Sequence, residues 1–119
     1  MNARERQKQG GLQKLTQVLE EAMNSGADSV SLEYEDNGLE VCYMFGNVGI
    51  GAVLIDRDLE AEVVGYIVEA AKLERKSRGK MQLALCGKEY IVNAERYESF
   101  GESAFKLKIN RPTGRTRDP

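Results

Sequence analysis

The sequence predicts an α+β fold, an antiparallel sheet with helices packed on one face, in the order α-β-β-β-α-β-β-β. Three observations carry that prediction. Two stretches repeat their apolar residues at helical spacing, six shorter ones alternate apolar and polar, and Gly- or Asn-bearing turns separate them. An alternating strand buries one side only, so two amphipathic helices can cover one face and leave the other free. A chain of 119 residues supports one such domain around one modest core.

Residues 1–10, MNARERQKQG, are polar and charged and are expected to form a flexible arm ahead of a domain spanning 11–110. From Gly11, Leu12, Leu15, Val18, Leu19, Ala22 and Met23 fall on one helical face. Asn24-Ser25-Gly26 stops that helix, with Gly26 suited to a left-handed cap. Val30, Leu32 and Tyr34 then alternate with Ser29, Ser31, Glu33 and Glu35, and Asp36-Asn37-Gly38 reads as a hairpin turn. A second strand points Leu39, Val41, Tyr43 and Phe45 one way; Gly46-Asn47 turns into a third over Val48–Ile55.

Asp56 and Asp58 open the next helix, where acids suit the positive end of the dipole. Its apolar stripe runs Leu59, Val63, Tyr66, Ile67, Ala70 and Leu73, with Lys72, Arg75 and Lys76 expected at its C-terminal end. Met81, Leu83 and Leu85 alternate up to a turn at Cys86-Gly87-Lys88. Tyr90, Val92 and Ala94 follow, then a Ser99–Glu102 turn, then Phe105, Leu107 and Ile109 with Lys106 and Lys108 on the opposite side. The tail 111–119 has no apolar residue and is expected to be flexible. The sheet's second face, carrying Glu33, Cys42 and Met44, should be left uncovered.

Composition removes several function classes. There is no histidine, which excludes histidine-based triads and histidine-bearing zinc sites. No apolar run approaches the ~18 residues of a membrane span, and the charged N-terminus has no apolar segment behind it. The expected compartment is therefore the cytoplasm, where Cys42 and Cys86 would be unpaired, apolar fillers on strands. The glycines of FGNVGIGAV, Gly46, Gly49 and Gly51, follow GxxGxG between strand-like residues, whereas a phosphate cradle needs a strand-to-helix junction. No EF-hand spacing is present, and the acids from Asp56 to Glu62 sit where a helix start calls for them, so no metal or cofactor is expected. Ser29, Ser31 and Ser99 lack a histidine base and no SxxK occurs, so no catalytic set is visible.

Charge is the informative feature. Residues 15–69 hold twelve acids and the single base Arg57, a net of −11, while residues 70–111 hold ten bases and five acids, a net of +5. Solvated faces of both signs would account for this. So would a bipolar domain that docks on a partner or on its own copy with opposite charges facing. On that second reading the contact is the basic segment Lys72, Arg75, Lys76, Arg78 and Lys80, with the acidic region Glu33, Glu35 and Glu40 as its complement. Nucleic acid is disfavoured by a pI near 5.3 and by the absence of aromatics among those basic residues.

The stretch GADSVSLEYEDNGLEVCYMF, Gly26–Phe45, resembles the small PAS-like domain that precedes the motor in type II secretion and type IV pilus ATPases. Gly26 to Tyr34 stands where that family has GASDIHIEP, and Val41 to Asn47 where it has VRYRIDG. VVGYIVEAAKLE, Val63–Glu74, is similar to its helix ending in an MAKLD-type segment. GKEYIVNAERYESFGESAFKLKI, Gly87–Ile109, is similar to its GRxxDVRVSTxPxxxGExxVLRIL ending, with Gly101-Glu102 on the GE. The resemblance covers residues 11–110 and implies a PAS-like fold. It departs where the family's arginines reach toward nucleotide: Cys42, Met44 and Asn93 stand there, Gly46-Asn47 replaces an Asp-Gly turn, and the RxPQDG loop is shortened to Lys76–Lys80. Neither Cys nor Met can replace a bidentate arginine on phosphate. The motor domain is expected to be absent. The resemblance thus implies a non-catalytic adaptor that docks on a secretion or pilus motor ATPase or on its own copy; the alternative is a PAS-like small-ligand sensor with a cleft near Gly46–Gly51.

Overall fold

A computed structural model of the chain describes residues 3–99 and 101–110. Its elements are α1 (Ala3–Asn24), β1 (Ser29–Glu35), β2 (Gly38–Phe45), β3 (Val48–Asp56), α2 (Arg57–Ala71), β4 (Arg78–Leu85), β5 (Lys88–Ser99) and β6 (Glu102–Asn110). This is the predicted order, and the class is α+β. The six strands form one antiparallel sheet in the order β3-β2-β1-β6-β5-β4. Each half of the chain supplies three consecutive strands, and the halves meet where β1 pairs with β6. The acidic first half and the basic second half of the sequence thereby become the two sides of one sheet.

The predicted alternation decides which side chains meet the helices. Val30, Leu32, Leu39, Val41, Ile55, Met81, Leu83, Leu85, Val92, Leu107 and Phe105 are buried with Leu15, Val18, Leu19, Val63 and Ile67 in one cluster. Two glycines permit this packing. A Cβ on Gly11 would overlap the Glu62 carbonyl of α2, and one on Gly79 would overlap the Ala71 carbonyl. At both places a missing side chain lets two backbones approach closely.

The helix ends follow capping chemistry. Asp56 is the N-cap of α2, its Oδ1 accepting from the Leu59 N–H at 3.1 Å, with Asp58 and Glu60 in the first turn. At the other end Lys72 adopts φ 60°, ψ 49°, and the Leu73 N–H bonds to the Val68 carbonyl at 2.8 Å. Gly26 takes the predicted positive φ after α1.

Three expectations are corrected. The helix begins at Ala3, so residues 3–10 of the expected arm are helical; Arg, Glu, Gln and Lys are good helix formers, which apolar periodicity alone does not register. The last turn of α2 holds no basic residue, because the chain leaves the helix at Ala71 and Arg75 and Lys76 lie in the connection to β4. Cys86 is not on a strand; it sits exposed in the β4–β5 turn with φ 51°, its N–H donating to Glu20 Oε2 at 2.8 Å. The turn expected at Asp36-Asn37-Gly38 joins β1 to β2, with Gly38 at positive φ. The expected tail at 111–119 lies outside the described residues.

Candidate functional site

The candidate site is the sheet face turned away from α1 and α2, on which neither helix packs. The strand register lays out its side chains in rows. Cys42, Ser31, Lys106, Glu95 and Arg78 line up across β2, β1, β6, β5 and β4, and Met44, Ser29, Lys108, Asn93 and Lys80 form the next row. On the level beyond Ser31, Glu33 stands opposite Glu40, with Tyr97 opposite Ala104 on the neighbouring strands. Glu35 and Glu102 lie one level further on β1 and β6. Lys80, Lys106 and Lys108 are exposed, as are Glu35 and Glu40.

On the basic side this face descends into an open depression of about 880 Å³. Its lining runs from Lys106 and Lys108 across Asn93 and Glu95 to Arg78 and Lys80, then past Gly79 to Lys72 and Lys76 beyond the end of α2. Six cations and one carboxylate line it, so its field is strongly positive. The carboxylate, Glu95 Oε2, lies 3.6 Å from Arg78 Nη2, and both groups are well exposed, so solvent screens the pair. Asn93 sits between Lys80 and Lys108 in register, and its Oδ1 is buried without a hydrogen-bond partner among the described residues.

The acidic side is built differently. Glu33 and Glu40 are directly opposed like charges on adjacent strands, an arrangement that is destabilising without a cation nearby. Tyr97 hydrogen-bonds Glu33; burial pushes its phenol above the ordinary 10.0, with the Glu33 charge and that hydrogen bond adding to the rise. At the end of the sheet a recess of about 330 Å³ gathers Tyr34, Glu35, Glu60 and Glu102 around Arg57. The Arg57 guanidinium donates to the carbonyls of Asp36 and, at 3.5 Å, of Glu35. Burial raises the Tyr34 phenol, and the Glu60 and Glu102 carboxylates raise it further.

Of the basic residues singled out from sequence, Lys72, Lys76, Arg78 and Lys80 line one depression, whereas Arg75 is exposed outside it. Of the acids, Glu33 and Glu40 are neighbours and Glu35 lies further along β1. Sequence reasoning did not join Lys106 and Lys108 to the basic set. Their alternation with Phe105, Leu107 and Ile109 was visible, but their place beside β5 and β4 depends on strand order. The glycine-rich Gly46–Gly51 segment forms the exposed β2–β3 turn and the outer edge strand.

Chemically the face offers charge and hydrogen bonding. Ser29, Ser31 and Cys42 share it, and among the described residues none hydrogen-bonds a basic side chain that could activate it. Among the described residues no helix is long and apolar enough to cross a membrane. The chain matches no protein-family model and no curated protein.

Proposed function

We propose that this chain is a non-catalytic protein-docking module, acting in the cytoplasm, whose uncovered sheet face receives an oppositely charged protein surface. The observation that carries the reading is the assembly of Lys72, Lys76, Arg78, Lys80, Lys106 and Lys108, drawn from two stretches of sequence more than twenty residues apart, into one depression. A surface that only solubilises the domain has no reason to gather cations from α2's end, β4 and β6 around one concavity, where each raises the cost of the next. An acidic segment laid in the depression removes that repulsion and gains charge-assisted hydrogen bonds. The resemblance of Gly26–Phe45 and Gly87–Ile109 to the PAS-like domain of secretion and pilus ATPases nominates a motor subunit of that class as the partner.

Binding of a fluorescent poly-glutamate peptide, followed by anisotropy, tests the docking chemistry. Affinity should fall steeply with ionic strength and be lost in Lys80→Glu/Lys108→Glu. Equal binding by the native chain and that variant, or no salt dependence, overturns the reading. Co-purification with a motor ATPase tests the nominated partner separately.

A further inference from the structure

The connection from α2 to β4 supplies part of the wall of the basic depression, and it carries a hydroxyl that docking leaves unused. Lys72, Lys76 and Arg78 line the depression, and Ser77 stands between the last two in the chain. The five residues from Glu74 to Arg78 are all exposed. The Ser77 carbonyl accepts from the Arg96 N–H at 2.8 Å, which ties this residue to β5 next to Glu95 of the lining. Resting on the docking reading above, we infer that Ser77 is a phosphorylation site, and that a phosphoryl group there closes the depression to an acidic partner.

Exposure and charge single out this hydroxyl. Among the described residues, Thr16 lies in α1, Ser29 and Ser31 in β1, Ser99 in β5 and Ser103 in β6, where helix or strand hydrogen bonds hold the backbone. Ser25 is exposed in a turn, but its Oγ donates to the Glu21 carbonyl at 2.9 Å, and Glu20, Glu21 and Asp28 are the charges beside it in sequence. Ser77 has Arg75 and Lys76 before it and Arg78 and Lys80 after it, in an exposed connection. A kinase whose substrate groove is acidic reads that pattern by complementary charge. In the transfer, Ser77 Oγ bonds to the γ-phosphorus of ATP as the bond from that phosphorus to the ADP oxygen breaks. The hydroxyl proton passes to the kinase's carboxylate base. The product carries about −1.5 to −2 charges at pH 7. Six cations against the Glu95 carboxylate give the depression a net +5, so one phosphoryl group offsets roughly a third of it. Lys76 and Arg78 adjoin Ser77, within the ~8 Å over which salt leaves such charges incompletely screened. Their charge-assisted hydrogen bonds to the phosphoryl oxygens replace those an acidic partner would make.

Treating the full chain with a basic-directed serine kinase and magnesium ATP, followed by peptide mapping in a mass spectrometer, tests the site. A phosphoryl group should appear on Ser77. The anisotropy assay with poly-glutamate then tests its effect at low ionic strength. The treated native chain should bind the peptide about tenfold more weakly than Ser77→Ala treated identically, because that variant keeps every cation and lacks only the acceptor. Both should keep the native circular dichroism. No phosphoryl group on Ser77, or equal binding by the two treated chains, overturns the inference and leaves the docking reading standing. An untreated native chain that does not bind poly-glutamate defeats the docking reading, and the switch with it.

Discussion

The two faces of the one sheet are held to different standards. On the face beneath α1 and α2, Val30, Leu32, Leu39, Val41 and Leu107 have no accessible surface, and their neighbours are fixed by shape. On the other, Lys80, Lys106, Lys108 and Glu40 are exposed, and their neighbours are fixed by charge. The contrast separates stability from recognition. A change on the covered face acts on the folded state through packing, whereas a change on the uncovered face leaves the core intact and alters what the surface attracts.

Five measurements can break or sharpen that contrast. The largest effect is expected from Phe105→Ala, which removes the largest fully buried side chain among the described residues. Equilibrium denaturation should show a loss of about 3–5 kcal/mol; a loss below ~1 kcal/mol would mean that the two faces do not differ in packing. Gly79→Ala comes next. Its Cβ meets the Ala71 backbone carbonyl, which cannot rotate away, so β4 and the end of α2 must separate at a cost of about 1–3 kcal/mol. The same substitution at Gly65, whose Cβ would meet nothing within 4 Å, should be neutral or stabilising.

Asp56→Ala removes the side chain that accepts the Leu59 N–H and should cost about 1 kcal/mol in thermal or chemical unfolding. Asp56→Asn should retain most of it, which separates the hydrogen bond from the charge. On the uncovered face, Lys106→Glu/Lys108→Glu should move stability by no more than ~0.5 kcal/mol per site while weakening poly-glutamate binding. A large stability loss there would show that these lysines belong to the fold.

The smallest effect is a pH dependence. Burial raises the phenols of Tyr34, Tyr43, Tyr66 and Tyr97 above 10.0, and at Tyr43 a hydrogen bond to Glu21 adds to it. The folded chain therefore holds these protons to higher pH than the unfolded chain. Their contribution to stability is complete below pH ~10 and falls as pH rises through the folded values. Denaturation midpoints should decline above that point, and Tyr97→Phe should remove part of the slope. A midpoint that rises with pH in this range would contradict the assigned burial.

The covered face was legible because one period suffices to read it. Leu12 through Met23 at helical spacing and Phe105, Leu107 and Ile109 at alternate positions state locally which side is apolar. Lys72, Lys76, Arg78 and Lys80 were recognisable as a group because they are close in sequence. Lys106 and Lys108 were not joined to them, since residues nearly thirty positions apart become neighbours only through β5. Arg75 illustrates the converse. It is next to Lys76 in sequence yet does not line the depression; α2 ends at Ala71, so Arg75 lies in the connection to β4 rather than on a helix.

The sequence by itself determined the order of the elements, the face each strand buries, and the division into an acidic half and a basic half. These follow from side-chain period and composition, which are local properties. Only the tertiary structure decided that β1 and β6 are adjacent. Backbone hydrogen bonding at a strand edge does not depend on sequence separation, so this pairing sets acidic β1 beside basic β6. A charge split along the chain thereby becomes a charge split across one open face.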